Sequence, residues 1–152
     1  MTDFPSWYPN DRNAAAVTEF ILWFSRLEYA LKCVPAYANG NKANLDKLKA
    51  AMRGQPVPSS LSDALHYLKA DAPRNQTSAT GWIQIRVGDD DWGFLLESLR
   101  TVRNNLFHGG KQHTGPLLEP ARDEKLIGFC NLIMRELVLV LPGEVKTIFD
   151  HA

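Results

Sequence analysis

The side chains best equipped for chemistry lie in the run Arg103-Asn104-Asn105-Leu106-Phe107-His108. An arginine carries five N–H donors in a planar fork and clamps a phosphate through two hydrogen bonds. A histidine exchanges protons near neutral pH. The two together are the parts of a metal-independent ribonuclease, one that activates a ribose 2′-hydroxyl beside the scissile phosphate. Asn104 and His108 are four apart, so on a helix their side chains can touch. Arg103 and His108 are five apart and diverge by about 140° around an ideal helix. His108 precedes Gly109-Gly110, however, and a ring at a frayed helix end is free to turn. Without chemistry, the same residues read as a surface arginine and a terminal histidine favoured by the helix dipole.

Neighbours could extend this site. Arg100, one turn before Asn104, would add a phosphate contact or pair with Glu97. Lys111 and His113 follow in a loop, where they would touch RNA phosphates or stay solvated. Glu28, with Arg26 on the first helix, could face the same site, although a structural ion pair is the simpler role. Trp82 and Trp92 could stack on bases, whereas Phe20, Trp23 and Phe24 read as core.

The elements that must position these residues are helices. Phe4, Pro5, Trp7, Tyr8 and Pro9 form a non-helical N-terminal arm, residues 1–9. Asn10 or Asp11 then caps a helix reaching about Val34, with Val17, Phe20, Phe24, Leu27, Leu31 and Val34 at helical spacing and Ile21, Leu22, Trp23 and Tyr29 widening the apolar face. A second helix is expected from Lys42 to Arg53, stopped by Gly54 and two prolines. A third, short one starts at Ser60, with Asp63 completing a capping box. The stretch Ala72–Gly81 has loop composition. Trp82 to Val87 alternates with period two, and a lone strand makes no sheet. Asp89-Asp90-Asp91 places negative charge at the start of the motif helix, which runs from about Asp90 to His108 and stops at the two glycines. A long helix, Ala121–Leu141, and a tail with Val145, Ile148 and Phe149 complete the chain. On the wheel of the motif helix, Trp92, Leu95, Leu99, Val102 and Leu106 form a core face. Opposite stand Glu97, Arg100, Arg103, Asn104 and His108, with Leu96 and Phe107 among them. Apolar residues within a polar face predict a second packing surface such as a dimer interface.

Composition narrows the classes. The 152 residues, 45% hydrophobic and 22% charged, suit one all-α domain of four main helices plus short ones. Seventeen basic and seventeen acidic side chains leave no net charge, so any nucleic-acid contact is a local site, not a broad basic surface. Cys33 and Cys130 are too few for a disulfide framework or a zinc site and read as small buried hydrophobes. Three consecutive aspartates do not converge as metal ligands do. No phosphate-binding glycine loop appears, so neither metal nor cofactor is expected. The first residues lack the pattern of a signal peptide, and no apolar run approaches the ~20 residues of a membrane span. A cytoplasmic protein is the expectation.

The motif Arg103-Asn104-x-x-x-His108, at the end of a helix in an all-helical chain, resembles the signature of HEPN domains, in which an arginine and a histidine are separated by four to six residues and a polar residue often follows the arginine. The resemblance implies a HEPN-like helical bundle spanning residues 1–152 and a metal-independent endoribonuclease with Arg103, Asn104 and His108 as its catalytic residues. It implies a composite active site at a homodimer interface, an RNA substrate, and a setting in toxin–antitoxin pairs with a cognate antitoxin, or in antiphage defence. One HEPN subgroup carries a modifiable tyrosine two residues beyond the histidine. Gly110 stands there in this chain, so that mode of control is not implied. The alternative is a non-catalytic helical dimer that binds RNA, a nucleotide or a partner protein.

Overall fold

A computed structural model describes residues 11–78, 81–108 and 120–151. The N-terminal arm, residue 10, the glycine pair after His108, and Lys111 and His113 lie outside the described residues. Those described are mostly helical. Three helices are long: α1 (Asp11–Lys32), α4 (Asp91–His108) and α5 (Pro120–Val140), of 22, 18 and 21 residues. Three are short: α2 (Leu45–Met52), α3 (Ser62–Ala70) and α6 (Gly143–His151). Two antiparallel pairs join them, β1 (Ala38–Asn39) with β2 (Lys42–Ala43), and β3 (Arg74–Gln76) with β4 (Trp82–Gln84). Among the described residues no single helix is long and apolar enough to cross a membrane.

Several expectations need correction. Among the described residues three helices are long, not four, because Lys42 and Ala43 pair with Asn39 and Ala38 instead of opening α2. Gly40, at φ +63°, is the first of two loop residues. A positive φ there and not at Asn41 is the type II′ turn that joins hairpin strands without splaying them. Asn44 then caps α2 by accepting from the Lys47 amide at 3.2 Å. Gly54, at φ +78°, ends α2 in the left-handed conformation as expected. The capping box at Ser60 does not form. Ser59–Leu61 is a 3₁₀ turn, and α3 follows it with no side-chain cap.

The stretch from Ala72 to Gly81 is not all loop, and the alternating segment is not alone. Asn75 sits opposite Ile83, Arg74 opposite Gln84, and Gln76 opposite Trp82. The second strand leaves no mark in the pattern because Arg74-Asn75-Gln76 is polar on both faces and carries no alternation.

One continuous core draws residues from every helix. Helix α1 packs on α5 and α6, while α2, α3 and β3 pack on α4. Leu22 and Tyr29, expected on the apolar face of α1, are instead exposed. Cys130 is buried as expected, but Cys33, one turn after Tyr29, is exposed. The core takes a narrower stripe of α1 than its composition offers.

Helix α4 is held from more than one side. Eight of the eleven residues from Trp92 to Val102 are buried. Leu96, placed on the polar face by the wheel, is fully buried. With α2, α3 and the hairpin all against this helix, its core sector is wider than one face. Trp92 is fully buried too, its indole N–H donating to the Pro56 carbonyl at 3.2 Å, so it offers bases no stacking surface. The start of α4 is fastened by Asp90, whose carboxylate accepts from the Gly93 amide at 2.8 Å and the Gly54 amide at 2.9 Å. One side chain thus caps α4 and ties it to the end of α2. Asp90→Ala should lower the unfolding free energy by about 1–2 kcal/mol. Urea titration of the two proteins measures it, and a difference within a few tenths of a kcal/mol would mean the cap is dispensable.

Candidate functional site

Past Val102 the character of α4 changes. Arg103, Asn104, Asn105 and Leu106 are only partly buried, and Phe107 is 54% exposed. The motif therefore occupies the stretch where the helix leaves the core.

Arg103 is the most constrained of these residues. Its Nη2 donates to Glu28 of α1 at 3.2 Å, and its Nη1 donates to Asn104 Oδ1 at 3.1 Å. The guanidinium lies 4.6 Å from the centroid of the Phe107 ring and 5.9 Å from that of Phe24, within reach of a cation–π attraction. Its Nε is buried and, among the described residues, has no hydrogen-bond partner. A cleft of about 110 Å³ opens beside it, lined by Phe24, Glu28, Arg100, Arg103 and Asn104, with Ala43 of β2 also at its wall. Leu31 and Leu45 complete the lining, so this is a small cleft of mixed character with a held cation, partly open to solvent.

Of the residues singled out from the sequence, the structure brings Arg100, Arg103 and Asn104 to this cleft. His108 is the last residue of α4, and its side chain lies outside what the structure describes. Glu28 does reach the site, whereas Arg26 turns away and donates through Nε to the Phe149 carbonyl at 2.5 Å. Asn105 has a different task from its neighbour. Its Nδ2 donates to the Arg74 carbonyl at 2.9 Å, fastening the hairpin to the end of α4.

Arg100 is engaged on its own account. It pairs closely with Glu97 and lies 3.1 Å from Asp46 of α2. Lys49 joins the same cluster, 3.1 Å from Glu97. Burial acts to lower the Arg100 pKa, but the two carboxylates outweigh it and leave the group above its ordinary value. Arg100 thus stays charged, its charge shared between Glu97 of its own helix and Asp46 of α2.

A larger groove of about 800 Å³ lies between α2, the β3–β4 hairpin and the start of α4. It is the weaker candidate despite its size. Lys49 and Glu97 on its wall pair with each other, Asp46 takes Arg100, and Asp90 is committed to two backbone amides. Arg53 and Arg86, also on that wall, are exposed, whereas the cation at the smaller cleft is partly buried and held by two acceptors. Sequence reasoning gave Glu28 only a secondary part there. Its signal was a carboxylate one turn after Phe24 on an otherwise apolar stripe, which needs a buried partner to be tolerated.

Compared with family models, with curated proteins and with solved structures, the chain matches none.

The Arg100 cluster should contribute modestly, because its members are part exposed and screened by solvent. Arg100→Ala is expected to cost roughly 1 kcal/mol at low salt and less at 1 M salt. Thermal or urea unfolding at both ionic strengths checks this, and a loss independent of salt would point to packing instead of charge.

Proposed function

We propose that the chain is a metal-independent endoribonuclease of the HEPN type, acting as a homodimer with a composite site. The observation that supports this reading best is Arg103 itself: a guanidinium near two aromatic rings at the edge of a cleft, five residues before His108 on the same helix. A fixed cation with free N–H groups suits the charge that builds on a phosphate oxygen in the transition state.

In this reading Arg103 binds the scissile phosphate, and Asn104 orients it. The 2′-hydroxyl oxygen attacks the adjacent phosphorus while His108 takes its proton. The bond from phosphorus to the 5′-oxygen breaks, and the imidazolium returns a proton to that leaving oxygen. The products are a 2′,3′-cyclic phosphate and a 5′-hydroxyl, with no net oxidation or hydrolysis. Because Arg103 and His108 diverge on one helix, two motif helices meeting across a two-fold axis would complete the site. Phe107, exposed beside Arg103, offers such a contact an apolar edge. Lys111 and His113 would contact RNA phosphates, and Arg100 would do so only by sharing the charge it gives to Glu97 and Asp46. A cytoplasmic toxin or antiphage effector, neutralised by an antitoxin, is the corresponding biology.

A second reading has one observation in its favour. The Glu28–Arg103 pair is also what a purely structural arginine would show, and the chain would then be a helical dimer that binds RNA, a nucleotide or a protein without cutting. Incubation of RNA with the purified protein in EDTA separates the two. Cleavage should proceed, leaving 2′,3′-cyclic phosphate ends, and Arg103→Ala and His108→Ala should each lower kcat by about 100-fold or more. Cleavage that needs Mg²⁺, or that survives His108→Ala, would refute the mechanism. Binding without cleavage would favour the second reading.

A further inference from the structure

Five N–H groups of Arg103 must be accounted for: one on Nε and two on each Nη. The Nε–H is buried and, among the described residues, unpartnered, so no ligand in solvent reaches it. Asn104 takes one hydrogen of Nη1, and Glu28 takes one of Nη2. Among the described residues, one N–H on each Nη has no further partner. With Nε closed, a grip on two oxygens of a single phosphate must use both Nη atoms. The side-on grip, through Nε and Nη2, is closed.

We propose that Glu28 is the positioning residue of Arg103, and that with Asn104 it restricts the guanidinium to an end-on grip on two non-bridging oxygens of one phosphodiester. This rests on the nuclease reading above and adds to it how the substrate phosphate is seated. Glu28 comes from α1, so it fixes the arginine from a different element than the one that carries it. Its side chain is 29% exposed and that of Arg103 31%, so the pair borders solvent without being flooded by it. The carboxylate has a cost. It stands near the phosphate and repels it, weakening ground-state binding. Its return is a guanidinium already aligned when charge develops, which appears in kcat and not in KM.

The test is a series at Glu28, read by steady-state cleavage of one RNA oligonucleotide in EDTA and by side-chain ¹⁵N NMR of the arginines. Glu28→Ala should lower kcat by about 10–100-fold with KM unchanged or lower. Glu28→Gln keeps an acceptor oxygen at the same reach, and it should retain kcat within about threefold while KM falls as the repelling charge is removed. In the NMR spectrum, wild type should give an Arg103 Nε–H signal protected from solvent exchange, identified by its loss in Arg103→Lys. The signal should persist in Glu28→Gln and vanish in Glu28→Ala.

A Glu28→Ala protein with wild-type kcat overturns the proposal. So does Glu28→Gln with the full defect of alanine, or parallel losses of kcat and folded fraction across the series, which would mark a structural pair. If wild type cuts no RNA, the nuclease reading fails and the catalytic role of Glu28 fails with it. The NMR signal still reports separately whether Glu28 holds the guanidinium.

Discussion

The burial of α4 between two groups of elements governs the rest of this structure. From Trp92 to Val102 the helix is enclosed by α2, α3 and the β3–β4 hairpin. Its backbone is therefore fixed over three turns before the motif begins. Each fully buried Leu or Trp there contributes about 1.5–3 kcal/mol through removal of apolar surface from water. The motif residues need no rigidity of their own, because they project from a rod anchored at its other end. Precise placement of reacting groups depends on such support, since small displacements cost large factors in rate.

Charge follows the same division. Inside the enclosed stretch, ionic groups are spent on fastening helices: Arg100 and Glu97 to α2, and Asp90 to the end of α2 and the start of α4. Asp71 does similar work on the far side. It accepts from Arg122 of α5 at 2.9 Å and from Gln84 of β4 at 2.9 Å, so the hairpin is moored to two helices. At Arg103 the pattern changes. Two acceptors take part of the guanidinium, two rings lie near it, and a cleft opens beside it. A helix surface that served only to bind its neighbours would have satisfied that cation more fully.

Much of this organisation is legible in the residues, and the gaps have physical causes. The long helices announce themselves because their apolar residues recur at helical spacing and Gly or Pro closes them. The two hairpins do not. β1–β2 is only two residues per strand, although Gly40-Asn41 is a dipeptide that such turns favour. β3 has no apolar face at all. Leu96 misleads for another reason. A helical wheel assigns one inward face, and α4 has neighbours on several sides, so a residue opposite the main stripe is also inside. Cys33, Leu22 and Tyr29 err the other way, apolar side chains that the core does not reach. For the site, Arg103 and Asn104 stand out from spacing and type, but the part played by Glu28 depends on how α1 crosses the end of α4, which no local pattern encodes.

That crossing bears on when the site comes into being. The Glu28–Arg103 contact closes a span of 75 residues, and the entropy of closing so long a loop must be met before the contact returns anything. Helix α4 and its neighbours α2, α3 and the hairpin lie close together in sequence, whereas Glu28 reaches Arg103 only when α1 is docked. A chain in which α1 is undocked thus carries the Arg103 run in its sequence but not the contact that aligns its guanidinium. That alignment arrives with tertiary closure and not with the helix that bears the residue.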